Sequence, residues 1–507
     1  MKKIIYFLTI TFLISSCSDL TDLNTDEKNS SKPPASSLFT AAAKGIAEQV
    51  VNTSVNKNIF RLVNQQWTET TYTDESVYQW TTRKISDNHW GAFYAGTVKD
   101  GSLGDLIQAK VFIENEVIIA SDPQFAAKMN IKKNQLAMID ILIVYSYQIL
   151  VDTFGDVPYS EAFKGSKYYL GKYDKALDIY KDLIVRLDND IANIDTSHPG
   201  FGDADIIYQD NLTQWVKFAN GIKLKLGINL KASGLEDAIA DAAIISASKG
   251  VFSTNADNAK ISYEKNVPNT NPIYVELVSS GRHDFVPAKP FVDALVAKND
   301  PRTKTYFNQT YKDIDPANPT GDLIVVTGYK GGIVGVKNTY SRYTHVSDKI
   351  QAPDFKGTYM DYAEIEFLLA EAVERGVAVS GDAASHYTKA ITASMEDWGI
   401  IQADIDTYLA QSTVAYSTAT GTWQQKIGEQ AWYALFNRGF EGWTSTRRLN
   451  FPALVPPSNA DASAEGQIPS RMTYPIREQT LNAANYNAAA AAIGGDKLKT
   501  KLFWDKN

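Results

Sequence analysis

The chain has 507 residues, 44% of them hydrophobic, and its 58 acidic side chains outnumber 50 basic ones to give a net charge of −8. Nucleic-acid backbones are bound through clustered Lys and Arg, so an acidic chain of this kind is a poor partner for them. One cysteine, Cys17, excludes any disulfide within the chain.

The chain opens with Lys2 and Lys3, followed by an apolar run over 4–14 broken only by Thr9 and Thr11. That run is shorter than the roughly 20 residues a membrane span needs, so residues 1–16 read as a cleavable export signal. Leu13-Ile14-Ser15-Ser16-Cys17 has the form of a bacterial lipobox. It predicts lipidation of Cys17, with acyl chains such as palmitate anchoring the mature chain. Ser18 follows the cysteine where an aspartate would mark retention in the inner membrane, which resembles outer-membrane sorting. Residues 17–37, with Asp19, Asp22, Asp26 and Glu27, read as a polar tether with little to bury. Residues 38–507 read as one domain with no second stretch of membrane-spanning length.

In that body the apolar residues recur at helical spacing, predicting helices over 38–51, 59–71, 106–120, 173–194, 235–248, 359–375, 381–398, 422–438 and 483–493. Over 132–153 apolar residues surround the axis, predicting a helix buried on most sides and stopped at Gly155-Asp156-Val157-Pro158. Over 213–231 they form one stripe, with Lys217, Lys223 and Lys225 on the polar face. Short connections suggest helical hairpins. Ala383, Tyr387 and Ala390 have the spacing of a tetratricopeptide second helix, although the preceding helix lacks the matching glycine and aromatic positions. A long irregular insert, about 251–354, is rich in Gly, Asn, Pro, Thr and Tyr, with strand-like pieces at 323–328 and 333–336.

A series of short motifs then runs through the chain in order. It includes Asn24-Thr25-Asp26, the stretch from Leu150 to Tyr159 (LVDTFGDVPY), Trp215-Val216-Lys217-Phe218-Ala219-Asn220 and Asn299-Asp300-Pro301-Arg302. It continues with Ala363 to Ala372 (AEIEFLLAEA), Phe440-Glu441-Gly442-Trp443 with Arg447-Arg448, and Arg471-Met472-Thr473-Tyr474-Pro475. Together they cover nearly the whole mature chain and resemble the SusD/RagB-like outer-membrane lipoproteins of Bacteroidetes, specifically their second SusD-like subgroup. The resemblance implies a mainly α fold with four degenerate tetratricopeptide-type helix pairs. It also implies a SusC-like TonB-dependent transporter as partner, and a role in capturing oligosaccharide at the cell surface for uptake. Some relatives capture peptides, which stays open as an alternative.

Enzymatic machinery is sparse. No Gly-x-Ser-x-Gly, His-Glu-x-x-His or phosphate-loop ending occurs, the five histidines are scattered, and no cofactor or metal is expected. A glycosidase needs only two suitably spaced carboxylates, so it remains the less favoured alternative to a binder. Glu364 and Glu371 share a helix face and are expected to pair with arginines. Arg447 and Arg448 are expected in a buried ion-pair network.

Sugar rings suit exposed aromatic side chains flanked by hydrogen-bonding groups. Two polar loops offer them. In 72–89, Tyr72, Tyr78, Trp80 and Arg83 are candidates, with Trp80 foremost; in the insert, Tyr274, Arg282, His283, Tyr340, Arg342 and Tyr343. Trp90, Phe93 and Tyr94 fall at helical spacing and read as packing.

Overall fold

The computed structural model describes residues 33–95 and 101–506; the export signal, Cys17 and all but the end of the tether lie outside them. Helices dominate, joined by four two-stranded antiparallel sheets. Neighbouring helices pack as pairs: Ala35–Val51 on Ser102–Glu114, Phe125–Phe154 on Ala176–Asn193, Leu212–Ser233 on Asp237–Ala247, Tyr362–Glu374 on Ala383–Asp397, and Trp423–Ala434 on Gly439–Leu449. This is the mainly α scaffold of tetratricopeptide-like pairs expected from the sequence.

The central element is the 30-residue helix Phe125–Phe154. By length and composition it could cross a membrane, against the expectation that no further stretch could, but 94% of its apolar window is buried within the protein. It ends at Gly155, whose φ of 87° is cheap only for glycine. Asp152, fully buried in its last turn, accepts hydrogen bonds from Tyr180, Gln148 and the Trp504 indole. The motif 150–159 therefore stops the helix and ties it to the C-terminal segment.

The helix Leu212–Ser233 starts at Asn211, whose side chain accepts from the Gln214 N–H, and ends at left-handed Gly234. Its expected polar face is partly internal. Lys223 and Lys225 are buried, because Asp188 reaches Lys223 at 2.7 Å while Glu364 and Glu441 each lie 2.6 Å from the Lys225 ammonium. Neutralisation lets these lysines enter the core.

Two sequence expectations change form. The predicted helix over 59–71 is only Phe60–Val63; the chain turns at Gln65 (φ 50°), and Trp67–Glu69 becomes a strand paired with Phe285–Pro287. The insert is more regular than expected, with helix Lys289–Ala297 and the hairpin Thr310–Ile314/Leu323–Thr327, while 333–336 is a turn rather than a strand. Helix Gly439–Leu449 packs on Phe60–Val63, and helix Ile85–Phe93 packs on Ala35–Val51 and Ser102–Glu114.

Candidate functional site

The pairing of Trp67–Glu69 with Phe285–Pro287 brings the two candidate loops together. Just past the strand, the Thr70 N–H donates to the Asp284 carbonyl at 2.9 Å and its hydroxyl to the His283 carbonyl at 2.6 Å. From the other side, Asn338 locks the insert on: its backbone N–H donates to Thr70 and its side-chain amide to the carbonyls of Glu69, Ile333 and Val336. Between these segments lies an open depression of about 380 Å³, lined by Thr70, Thr71, His283, Asp284, Lys337, Asn338, Thr339 and Tyr340.

Two of the five histidines, His283 and His345, meet here across Tyr340. Tyr340 is stacked between His283, at 4.3 Å, and His345, at 3.7 Å between ring centroids. Both faces of Tyr340 are thus occupied, leaving His283 as the outer plate of the stack. Next in the chain after Thr71, Tyr72 is 62% exposed. The Arg83 guanidinium lies 5.9 Å from its ring centroid and is steered there by Glu75, 2.6 Å from Arg83 Nε. Glu75 is fully buried against Glu69. Burial, reinforced by Glu75, pushes the Glu69 carboxyl up to about 9, so Glu69 holds a proton at neutral pH while Glu75 faces the arginine.

The remaining candidates divide. Arg282 is exposed beside the depression and pairs with Asp284 at 2.6 Å. Tyr343 is half-buried, with the Lys330 ammonium 5.7 Å from its ring centroid, and Arg342 is engaged by Asp313. Tyr274 ends the short helix Pro272–Tyr274 and does not line the depression. Tyr78 and Trp80 correct the sequence reading: they are 0% and 4% exposed and belong to the main core. Tyr78 adopts φ 70°, which turns its ring inward, and the Trp80 indole N–H donates to the Glu75 carbonyl at 3.2 Å. Their polar neighbours mark a loop whose turn wraps around its own aromatics, so neither offers a free face for stacking. Trp90 and Phe93 are buried packing residues, as expected, with Tyr94 half-buried beside them. Thr71, Lys337 and Thr339 were not singled out from sequence, because short polar residues carry no pattern until the strand pairing assembles them.

The acidic pairs that could mimic catalytic carboxylates are engaged structurally. Glu364 is held by Lys225 and by Arg438 at 2.5 Å, which keep it down at about 2 despite burial. Glu371 accepts from Arg448 Nε at 3.0 Å and pairs with Arg375 at 2.8 Å. Arg447 is buried beside the carboxylates of Asp152 and Asp505, whose charges act on it. It donates to the Asp152 and Ser470 carbonyls and lies over the Trp443 ring at 3.4 Å, and burial lowers it to about 10. Among the described residues no cluster of three or more His, Cys, Asp or Glu side chains has the arrangement of a metal site.

Comparison with known proteins agrees with this architecture. A SusD-like family described as "Starch-binding associating with outer membrane" matches residues 27–475. No curated protein matches the sequence. Among solved structures, a chitin-binding protein is 25% identical with a TM-score of 0.75, covering 93% of this chain and 100% of its own. A chitin-binding SusD homologue from Flavobacterium johnsoniae is 22% identical with a TM-score of 0.71, covering 92% of this chain and 99% of its own. A SusD homologue from Bacteroides uniformis is 24% identical with a TM-score of 0.72, with 93% and 99% covered. With a helical frame of paired helices and a family match over most of its length, the chain belongs to the SusD-like family.

Proposed function

We propose that the protein captures an oligosaccharide on the surface around Tyr72, Arg83, His283 and the Thr70–Tyr340 depression, and delivers it to a SusC-like TonB-dependent transporter. The observation that carries this reading is one open polar depression in which the segment leading into the first aromatic loop, Thr70 and Thr71, meets His283 and Tyr340 of the insert, with the exposed Tyr72 next in the chain. A sugar ring needs a flat apolar platform and directional partners for its hydroxyls. Tyr72 supplies the first, and Thr71, Asp284, Lys337 and Thr339 supply the second. Delivery also requires anchoring, which acylation of Cys17 at the outer membrane would provide. The role is binding without turnover. The family description and the chitin-binding relative favour a neutral glycan as the first ligand to try.

The test is calorimetric titration of the mature chain with chito- and malto-oligosaccharides, beside a set of short peptides, repeated with Tyr72→Ala and Thr339→Val. The expected result is saturable glycan binding weakened at least about tenfold by Tyr72→Ala, the scale of one lost ring contact with its neighbouring hydrogen bonds. Binding of peptides alone would replace the glycan reading. Glycan binding untouched by either substitution would move the ligand elsewhere.

A further inference from the structure

A second cavity, of about 400 Å³, shares no lining residue with the depression around Thr70. It forms where the C-terminal end of helix Ala35–Val51, the strand Gly357–Met360 and the turn before Gly439–Leu449 meet the loop over 349–356. Its size falls in the range of small-molecule sites, roughly 300–1,000 Å³. One wall is aromatic: Phe355, Trp398 and Phe436, with ring centroids of Trp398 and Phe355 6.0 Å apart.

The charges of its lining are lopsided. Each lining carboxylate already has a cation: Asp361 has Arg438, Asp397 has Lys260, Glu441 has Lys225 and Asp354 has Lys265. The converse does not hold. Buried Arg61 donates only to neutral oxygens, those of Asn437, Asn52 and Val51. Lys349 donates to the Trp398 carbonyl at 3.2 Å and sits 5.0 Å from the centroid of its ring. Among the described residues no carboxylate pairs with either cation. Arg438, though paired through its terminal nitrogens, leaves its buried Nε without a hydrogen-bond partner. Burial lowers Arg61 to about 9, the response of a cation whose charge is not offset, while Lys349, at the exposed rim, is pulled below its usual value by partial desolvation against the opposing charge of Asp397. A buried charge without a counter-ion is costly, and an incoming anion removes that cost.

We infer that this cavity binds a small organic carboxylate, its anionic group held by the unneutralised cations of the lining and its apolar face laid on the Phe355–Trp398–Phe436 wall. A sugar acid and the carboxyl end of a peptide share that chemistry. The site is separate from the glycan surface and would make the protein responsive to an acidic solute that the surface does not read.

The test is calorimetry on the mature chain with glucuronate beside glucose, and N-acetylphenylalanine beside its amide. At least one acid is expected to bind, at least about tenfold more tightly than its neutral counterpart, because a charge-assisted hydrogen bond is lost with the carboxylate. Which acid binds separates the sugar source from the peptide source. Lys349 is solvent-exposed, so Lys349→Ala keeps the fold; it should weaken the acid several-fold, as should added salt. Arg61→Gln should weaken it further, with thermal unfolding followed in parallel. Tyr72→Ala should leave it unchanged. Equal affinity for acid and neutral forms, no binding of either acid, indifference to Lys349→Ala, or loss with Tyr72→Ala would each overturn the assignment.

Discussion

The substitution Lys225→Met should be among the most damaging in the protein, and its damage should depend on pH in a defined direction. Lys225 lies 2.6 Å from both Glu364 and Glu441, and all three side chains are at most 7% exposed. Arg438 closes the cluster, 2.5 Å from Glu364 and 2.7 Å from Asp361. Two cations thus face three carboxylates. The excess falls on Glu441, which burial and the nearby Glu364 raise to about 7 even though Lys225 opposes the shift. Removing the lysine leaves three buried carboxylates against one guanidinium. Breaking such a pair costs about 3–5 kcal/mol. Part of that cost is avoidable by protonating Glu441. A carboxyl whose folded value lies above its unfolded one binds more protons when folded, so stability falls as pH rises from the unfolded value to the folded one. In the wild type that fall ends near pH 7; in the variant it continues upward, by as much as about 1.4 kcal/mol per pH unit for one proton. Urea unfolding followed by tryptophan fluorescence at about pH 6 and about pH 8 measures both effects. The expected loss is larger at the higher pH, and adding Glu441→Gln to Lys225→Met should recover part of it and flatten the pH dependence. A loss under about 1 kcal/mol, or a double variant no more stable than the single one, would refute the cluster as a fixed ionic joint.

Trp80→Ala should lower stability by about 3–5 kcal/mol, the usual cost of emptying a buried tryptophan site, whereas Tyr72→Ala should leave the melting temperature unchanged within about 1 °C. Asp190 is 8% exposed, and burial together with the neighbouring Asp140 raises it to about 8. Its burden grows as pH rises from the ordinary aspartate range to that value, so Asp190→Asn should stabilise the protein most near pH 8 and little near pH 4, as read by thermal unfolding at both. Gly439→Ala should cost about 1–3 kcal/mol by overpacking, since a methyl there would sit 2.4 Å from the Arg61 backbone nitrogen; a variant as stable as the wild type in denaturant would mean that the two segments can separate freely.

The contrast between Trp80 and Asp152 shows what local sequence could and could not convey. Around Asp152, helical periodicity runs into a Gly-Asp-Val-Pro stop, and each signal acts within a few residues, so the element and its end were legible. The buried pairing of Glu371 with Arg448 was legible for a related reason: charged residues on an otherwise apolar helix have few ways to be accommodated other than by neutralisation. The candidate site offers no such local constraint. It exists because Thr70 bonds a residue 213 positions away and Asn338 one 269 positions away. Nothing in the run from Tyr72 to His89 distinguishes the ring that points outward at Tyr72 from those that turn inward at Tyr78 and Trp80; average polarity marks the loop, and the turn around Glu75 sorts its side chains. The same separation has a physical consequence. The helices are registered by buried ions, Asp152, Lys225, Arg302 with Asp300, and Arg448, none of which lines the depression. Exchanging exposed side chains at Thr71, Tyr72, Lys337 or Thr339 therefore perturbs no contact that sets the frame, and ligand preference can change on a scaffold whose stability is determined elsewhere.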